Sequence, residues 1–140
     1  ALAKLSALFA TGLGGRLGSG RQWMPWIHVE DVVDILLAAA NDDRLVGPVN
    51  TVAPGLVTNR EFTSALASML HRPAILPVPA FALRLALGGF ADVLLASQRV
   101  VPTVLTGVGH AFRYPLLIDA LQASLRTSKR SSAPSKEGPP

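Results

Sequence analysis

Residues 26–32 of the chain read WIHVEDV, and this stretch decides how the fold is interpreted. Its first half belongs to a largely apolar segment, residues 23–29, which has the length and composition of a short β-strand. Pro25 lies within the segment, and proline is tolerated in a strand only at an edge, at the start or at a bulge. The segment therefore predicts a short strand with Pro25 at its edge or start.

The second half of the stretch has the features of a helix start. Glu30 and Asp31 follow the strand directly, and acidic side chains stabilise the first turn because the N-terminal end of the helix dipole is positive. Apolar residues such as Val33 and Leu36 then recur at helical spacing. A helix is therefore predicted over residues 30–41, with an apolar face turned to the core.

Downstream of this helix, strand and helix signals alternate. Residues 49–53 predict a second strand, and Thr58 with Glu61 has the spacing of a capping box, which predicts a helix over residues 59–70. Further strands are predicted at residues 75–78, 99–101 and 112–114. Helical segments are predicted at residues 81–87, 90–96, 103–106 and 117–125. The alternation indicates an α/β or α+β fold.

Upstream of the first strand lies a glycine-rich run, residues 11–20, which reads TGLGGRLGSG. Its N-terminal part fits T-G-x-x-G-x-x-G, the cofactor fingerprint of short-chain dehydrogenases. A dinucleotide site needs a buried strand before the glycines and a helix after them, because the pyrophosphate binds at the N-terminus of that helix. Here residues 2–10 predict the end of a helix, and residues 19–25 cannot open one. The run is therefore interpreted as a connection beside the cleft rather than as a dinucleotide site, and no cofactor-binding residue is assigned in this chain.

The composition of the chain narrows the function classes. None of its 140 residues is cysteine, which excludes disulfides, thiolate chemistry and cysteine-ligated zinc and fits a reducing compartment, so we expect a cytoplasmic protein. The net charge of +4 is spread thinly or lies in the tail, and no basic face interleaved with aromatic residues indicates nucleic acid binding. No stretch reaches the roughly 18 apolar residues of a membrane span. The three histidines, His28, His71 and His110, are far apart, so no metal site is expected.

The WIHVEDV stretch resembles the Y-I-H-V-x-D motif of extended short-chain dehydrogenases, which include the nucleotide-sugar epimerases. With the preceding residues 14–22, it resembles one atypical branch, the uncharacterised epimerase family proteins. The resemblance continues in order through residues 49–54, 58–62, 72–73, 77–79, 81–84, 98–102 and 112–115, which together resemble the small C-terminal domain of unknown function in that branch. Each piece is weak alone, whereas the ordered set is specific.

The resemblance implies the C-terminal part of a doubly wound, Rossmann-like α/β fold with a small α+β substrate-side domain. Residues 1–70 would end the epimerase-like domain, residues 71–126 would form the small domain, and residues 127–140 would be a disordered tail. Three residues are candidates for substrate binding by analogy: Arg21, Trp26 and His28. Structural roles stay open for them, since a lone histidine on a short strand is commonly a buried, hydrogen-bonded residue.

The chemistry that the family carries elsewhere is not visible in this chain. The catalytic pair of the superfamily is Tyr-x-x-x-Lys, but Tyr114 is the only tyrosine and Ile118 stands four residues on. No catalytic residue is therefore assigned. The resemblance implies that a longer parent binds NADP or NAD through an N-terminal cofactor domain, which would be the partner of this chain. An unknown small-molecule substrate and a homo-oligomer are further expectations.

A second interpretation is a stand-alone binding or interaction module without catalytic activity. The aliphatic segment 80–97 has more apolar residues than one buried stripe requires, so it would dock on a partner chain or on the missing cofactor domain. A decayed remnant without function is the third interpretation. The reading frame upstream of residue 1 would separate the three.

Overall fold

The computed structural model describes residues 15–72 and 77–131, apart from the side chains of residues 86, 87, 90 and 128–131. The helices in these ranges are α1 Val29–Asn41, α2 Asn59–Met69, α3 Ala80–Leu87, α4 Phe90–Leu95, α5 Thr103–Gly107 and α6 Leu117–Ser131. Each lies where the sequence predicted a helix. The expected helix at residues 2–10, the first part of the glycine-rich run and residues 75–76 of one expected strand lie outside the described residues.

The expected strands do not form a sheet within residues 15–72 and 77–131. These ranges contain only two isolated bridges, one parallel between Leu17 and Val78 and one antiparallel between Trp23 and Thr58. A strand requires a continuous ladder of hydrogen bonds with a neighbour. The segment 23–29 instead makes separate bonds, for example from the Met24 N–H to the Val57 carbonyl at 2.9 Å. The described chain is therefore helix-rich, which corrects the strand assignments made from sequence.

The first helix is oriented differently from the sequence prediction. Asp31 and Ile35 are its buried residues, whereas Val33 and Leu36 are 50% and 63% exposed. Burial of Asp31 is possible because its carboxylate is hydrogen-bonded, as described below. The apolar stripe that the sequence assigned to the core therefore faces outward.

The best-defined core lies between α2 and α6. Leu66 and Ala67 of α2 form a buried cluster with Leu117 and Leu121 of α6. Residues packed around this cluster are Trp26, Val57, Phe62, Ala65, Met69 and Leu70. Helix α2 begins with the predicted capping box, in which the Thr58 hydroxyl accepts the Glu61 N–H and the Glu61 carboxylate accepts the Thr58 N–H at 2.6 Å. The sequence prediction for this helix is confirmed.

Helices α3 and α4 form a second, smaller unit. They are separated at Gly88, whose positive φ of 56° is favourable only for glycine, as the Gly88-Gly89 pair suggested. Their pairing buries Leu83 and Ala91, and Arg84 and Asp92 form an exposed ion pair at 3.0 Å. This unit supplies one wall of the site described below.

The expected domain boundaries stay predictions. Helix α6 continues to Ser131, so residues 127–131, assigned to a disordered tail from their composition, are helical. The rest of that tail lies outside the described residues. No helix in the described part of the chain is long and apolar enough to cross a membrane.

Candidate functional site

The described part of the glycine-rich run, residues 15–20, is a loop in which the amides of Leu17, Gly18 and Gly20 are hydrogen-bonded within the chain. The Leu17 N–H donates to Asn59 Oδ1 at 2.8 Å, and the Gly18 N–H donates to the Val78 carbonyl at 2.9 Å. The Gly20 N–H donates to the Leu17 carbonyl at 3.0 Å. These N–H groups are therefore not free to bind phosphate oxygens.

The segment after the loop also does not fit a dinucleotide. No helix starts between residue 15 and Val29, so residues 15–28 have no helix N-terminus for a pyrophosphate. The positive φ of Gly18 and Gly20, 54° and 69°, serves the turn itself. Residues 15–20 connect to the following segment without opening a helix, and the interpretation that the run does not form an NAD(P) site stays a prediction.

Beside this loop lies a cavity of about 270 Å³, which is a candidate site. It is enclosed by the loop and the following segment on one side, the start of α2 below, and α4 with the residues after it on the other side. Its apolar lining residues are Leu17, Trp23, Met24, Pro25, Val93, Leu94 and Ala96. Its polar lining residues are the carboxamides Gln22, Asn59 and Gln98. Among the residues that the structure describes, no charged side chain therefore lines the cavity.

Two of the carboxamides are buried and oriented by the loop. Gln22 is 8% exposed and donates its Nε2 to the Leu17 carbonyl at 3.1 Å. Asn59 is 4% exposed; because its Oδ1 accepts the Leu17 N–H, its Nδ2 must point away from the loop. That Nδ2 contacts Met24 Sδ at 3.8 Å. A thioether sulfur is a weak acceptor, so this donor is poorly satisfied.

Trp23, on one side of the cavity, is hydrogen-bonded to the residues that follow α4 on the other side. The Trp23 N–H donates to Ser97 Oγ at 3.1 Å, and the Gln98 N–H donates to the Trp23 carbonyl at 3.4 Å. The Arg99 guanidinium lies 5.5 Å from the centroid of the Trp23 ring, within the range of a cation–π contact. The backbone of Trp23 therefore links the two sides of the cavity. The Arg99 guanidinium covers one face of the Trp23 ring.

His28 has a structural role at the start of α1. It is 6% exposed, and its Nδ1 accepts the Glu30 N–H at 3.2 Å, which makes His28 the N-cap. With Nδ1 as an acceptor, the ring proton lies on Nε2. The Tyr114 ring packs on the imidazole at a centroid distance of 4.1 Å. The contacts of His28 therefore support its interpretation as a buried, hydrogen-bonded residue.

Charged residues of α1 surround the segment that contains Tyr114. The Tyr114 hydroxyl donates to Glu30 Oε2 at 3.2 Å, and the Arg113 guanidinium bonds the Asp34 carboxylate at 2.8 Å. Partial desolvation and the Glu30 charge raise the pKa of Tyr114 above its usual value. The hydrogen bond with Asp34 raises the pKa of Arg113, which is fully charged in any case.

The structure does not bring the three sequence candidates together in the cavity. Trp26 donates its Nε1 to the Gly55 carbonyl at 2.7 Å and packs against the α2–α6 core. Arg21 is exposed, with its N–H bonded to Ser19 Oγ at 3.3 Å. None of Arg21, Trp26 and His28 lines the cavity, although Arg21 precedes the lining residue Gln22. Their roles in substrate binding stay predictions.

Sequence reasoning missed the residues that do line the cavity. Gln22 lies within residues 14–22, which contribute to the family resemblance, and Asn59 follows the capping residue Thr58. Neither residue by itself indicates a binding site. The α4 wall, residues 93–98, is separated from them by tens of residues. From the sequence, only the carboxamide residue next to the glycine-rich run, Gln22, could have suggested the site.

Comparisons with known proteins agree with the resemblance seen in the sequence. Residues 5–52 match the NAD dependent epimerase/dehydratase family, and residues 78–124 match a domain of unknown function, DUF1731. An epimerase family protein of Mycobacterium leprae is 44% identical over 130 residues, which is 91% of this chain and 42% of that protein. The chain thus spans about two fifths of the length of this curated relative.

Two solved structures share the fold. The crystal structure of human epimerase family protein SDR39U1 (isoform 2) with NADPH superposes with a TM-score of 0.83 at 35% identity, covering 88% of this chain and 42% of that chain. A nucleoside-diphosphate sugar epimerase from Corynebacterium glutamicum superposes with a TM-score of 0.64 at 29% identity, covering 97% of this chain and 27% of that chain. Both neighbours are much longer than the chain described here.

Proposed function

Because this chain belongs to the epimerase family proteins, whose sequences and folds it shares, we propose that it forms the substrate-side part of an NAD(P)-dependent, epimerase-like oxidoreductase. Hydride chemistry would take place on a cofactor bound by another region of a longer protein. The single observation that carries the proposal is the cavity of about 270 Å³ beside the glycine-rich loop. Its depth, apolar walls and few buried polar groups are typical of a small-molecule site.

The assignment of the cofactor to another region rests on the loop geometry. The amides of Leu17, Gly18 and Gly20 are bonded within the chain, so they offer nothing to a pyrophosphate. The human relative, whose structure contains NADPH, is 35% identical and superposes closely. This supports NADP or NAD as the cofactor of the longer protein.

Among the sequence candidates, we assign the direct substrate contact to Arg21. It is exposed next to the lining residue Gln22, so its guanidinium can meet a polar part of a substrate outside the cavity. Trp26 and His28 would act indirectly, by holding the segment on the core and at the start of α1. In this proposal all three residues belong to the substrate side, but only Arg21 contacts the substrate directly.

A chimeric protein tests the proposal. In human SDR39U1, the segment that superposes on this chain is replaced by this chain, and NADPH binding is measured by titration calorimetry. We expect the chimera to bind NADPH with an affinity close to that of the intact human protein, because the cofactor region is unchanged. The isolated chain should show no saturable NADPH binding, because its loop amides are occupied.

The control is the variant R21A in the same chimera, which should leave NADPH binding unchanged. Low-micromolar NADPH binding by the isolated chain would contradict the assignment of the cofactor to another region. A folded chimera that fails to bind NADPH would contradict the proposal that this chain completes a cofactor-binding enzyme.

The second candidate function, a non-catalytic interaction module, is favoured by the outer face of α3. Phe81 and Leu85 are 73% and 88% exposed, which is unusual for large apolar side chains on one short helix. A module would use this face to bind a partner chain or a second copy. Sedimentation of the chain and of the variant L85E, combined with the chimera, separates the enzyme part from the interaction module. The module is favoured if the chain forms a dimer that L85E dissociates and the chimera does not bind NADPH.

A further inference from the structure

We infer that the cavity between residues 17–25, Asn59 and α4 selects an uncharged, largely apolar molecule that presents a carbonyl oxygen to Asn59 Nδ2. This inference deepens the proposed function and rests on it, since the cavity is taken as the substrate site. It names a substrate class that differs from a nucleoside-diphosphate sugar, the class for which the Corynebacterium glutamicum neighbour is named.

The first argument is the charge of the lining. Every side chain that lines the cavity is apolar or a carboxamide, with none of the acidic or basic residues of the described chain among them. A phosphate or carboxylate in such a place would lose its hydration without gaining a counter-charge, which is strongly unfavourable. The Arg99 guanidinium lies over the Trp23 ring and is not among the lining residues.

The second argument is the shape of the apolar surface. Trp23 and Pro25 present flat surfaces, and Met24 supplies a polarizable thioether that adapts to an aromatic or aliphatic ring. The volume of about 270 Å³ lies just below the roughly 300–1,000 Å³ of most small-molecule sites, so it accommodates one ring with a short substituent. A bulky dinucleotide or disaccharide exceeds this space.

The third argument is the orientation of Asn59. Its oxygen is fixed by the Leu17 N–H at 2.8 Å, so the amide cannot flip, and its Nδ2 reaches only Met24 Sδ at 3.8 Å among the described residues. A side chain that is 4% exposed and holds a poorly satisfied donor at a cavity wall favours an incoming acceptor. A carbonyl oxygen satisfies this donor without introducing charge.

The test uses the 140-residue chain and four probes that share one ring: acetophenone, ethylbenzene, benzoate and phenyl phosphate. Binding is followed by NMR through the Trp23 indole and Asn59 side-chain amide resonances. We expect acetophenone to bind about fivefold more tightly than ethylbenzene, which lacks the acceptor. Acetophenone should bind at least about tenfold more tightly than benzoate or phenyl phosphate, which carry charge.

Two variants connect the binding to this cavity. V93F fills the space from a wall residue that is 60% exposed, so it should fold normally and weaken acetophenone binding about tenfold. Its matched control is L85F, at an 88% exposed position outside the cavity, which should leave binding unchanged. M24R places a cation in the lining and should reverse the preference toward benzoate.

Two outcomes would overturn the inference. One is binding of benzoate or phenyl phosphate that equals or exceeds that of acetophenone in the unmodified chain. The other is acetophenone binding that V93F leaves unchanged, since the probe would then occupy another place. Neither outcome depends on NADPH, so a failure here and a failure of the chimera are distinguishable.

Discussion

The Asp31 carboxylate accepts the backbone N–H of Arg113 at 2.6 Å, across a separation of 82 residues. Its second oxygen accepts the N–H of Tyr114 at 3.1 Å, and Asp31 has no exposed area. A buried carboxylate is tolerated only when its oxygens are hydrogen-bonded. This link therefore holds the segment before α6 against the first turn of α1.

Replacing Asp31 with asparagine should lower the free energy of unfolding by about 2–3 kcal/mol, because the amide group retains one acceptor and turns a donor toward the second N–H. Urea denaturation at neutral pH measures the change. The matched control is D34N, which removes the ion pair with Arg113 at a side chain that is 30% exposed. That pair is screened by solvent, so its loss should destabilise the fold much less than the loss at Asp31. Equal losses in both variants would contradict the special role of Asp31.

Gly55 should not tolerate a side chain. A Cβ at this position would lie 2.8 Å from the Pro115 carbonyl oxygen and 3.5 Å from Trp26 Cζ2. G55A should therefore lower the free energy of unfolding by about 1–3 kcal/mol, which a thermal melt detects. The control G107A places its Cβ at the end of α5, where nothing lies within 4 Å, and should be neutral or slightly stabilising. A neutral G55A would show that the loop relaxes without cost.

The capping box should make stability depend on acid pH. Hydrogen bonds from the Thr58 N–H and hydroxyl hold the pKa of Glu61 below its usual 4.5. A group with a lowered pKa in the folded state stabilises the fold above its unfolded pKa and loses that contribution as the pH falls through its folded pKa. Stability should therefore fall below about pH 4.5. Part of this fall should be missing in E61Q, measured by urea denaturation from pH 7 to pH 3. Identical pH profiles would contradict the role of Glu61.

His110 offers a stabilising substitution. Its Nε2 is buried and has no hydrogen-bond partner in the described part of the chain, and the ring packs edge-on against Phe112 at 5.0 Å. H110F keeps an aromatic ring and removes the unsatisfied atom, so it should raise the free energy of unfolding by about 1 kcal/mol. A rise in thermal midpoint confirms this. A decrease would indicate that Nε2 has a partner beyond the described residues.

Local signals in the sequence predicted the helices, because their determinants lie within a few residues of each other. The capping box at Thr58 and Glu61 and the break at Gly88 are such cases. The strand predictions were wrong within the described residues, because a strand depends on a partner that composition does not reveal. The outward face of α1 also escaped prediction, since Asp31 turns inward only because Arg113 and Tyr114, far along the chain, meet it.

The cavity and the substrate-binding residues expected from sequence do not coincide. The resemblance placed the substrate side near Arg21, Trp26 and His28, and the cavity lies beside that segment without including them. The carboxamides Gln22 and Asn59 are oriented by hydrogen bonds to the loop. Asn59 and its partner Leu17 are 42 positions apart in the chain. Such pairings arise from tertiary packing and leave no periodic trace in a single sequence.

The wall of the cavity that α4 provides has a consequence for how such proteins diversify. The residues that line the cavity from this wall, such as Val93 and Ala96, are exposed and belong neither to the α2–α6 core nor to the capping box. Mutations there are expected to alter ligand preference with little effect on folding. Under the proposed function, substitutions at these positions change what the cavity accepts and leave the loop and the buried carboxamides in place.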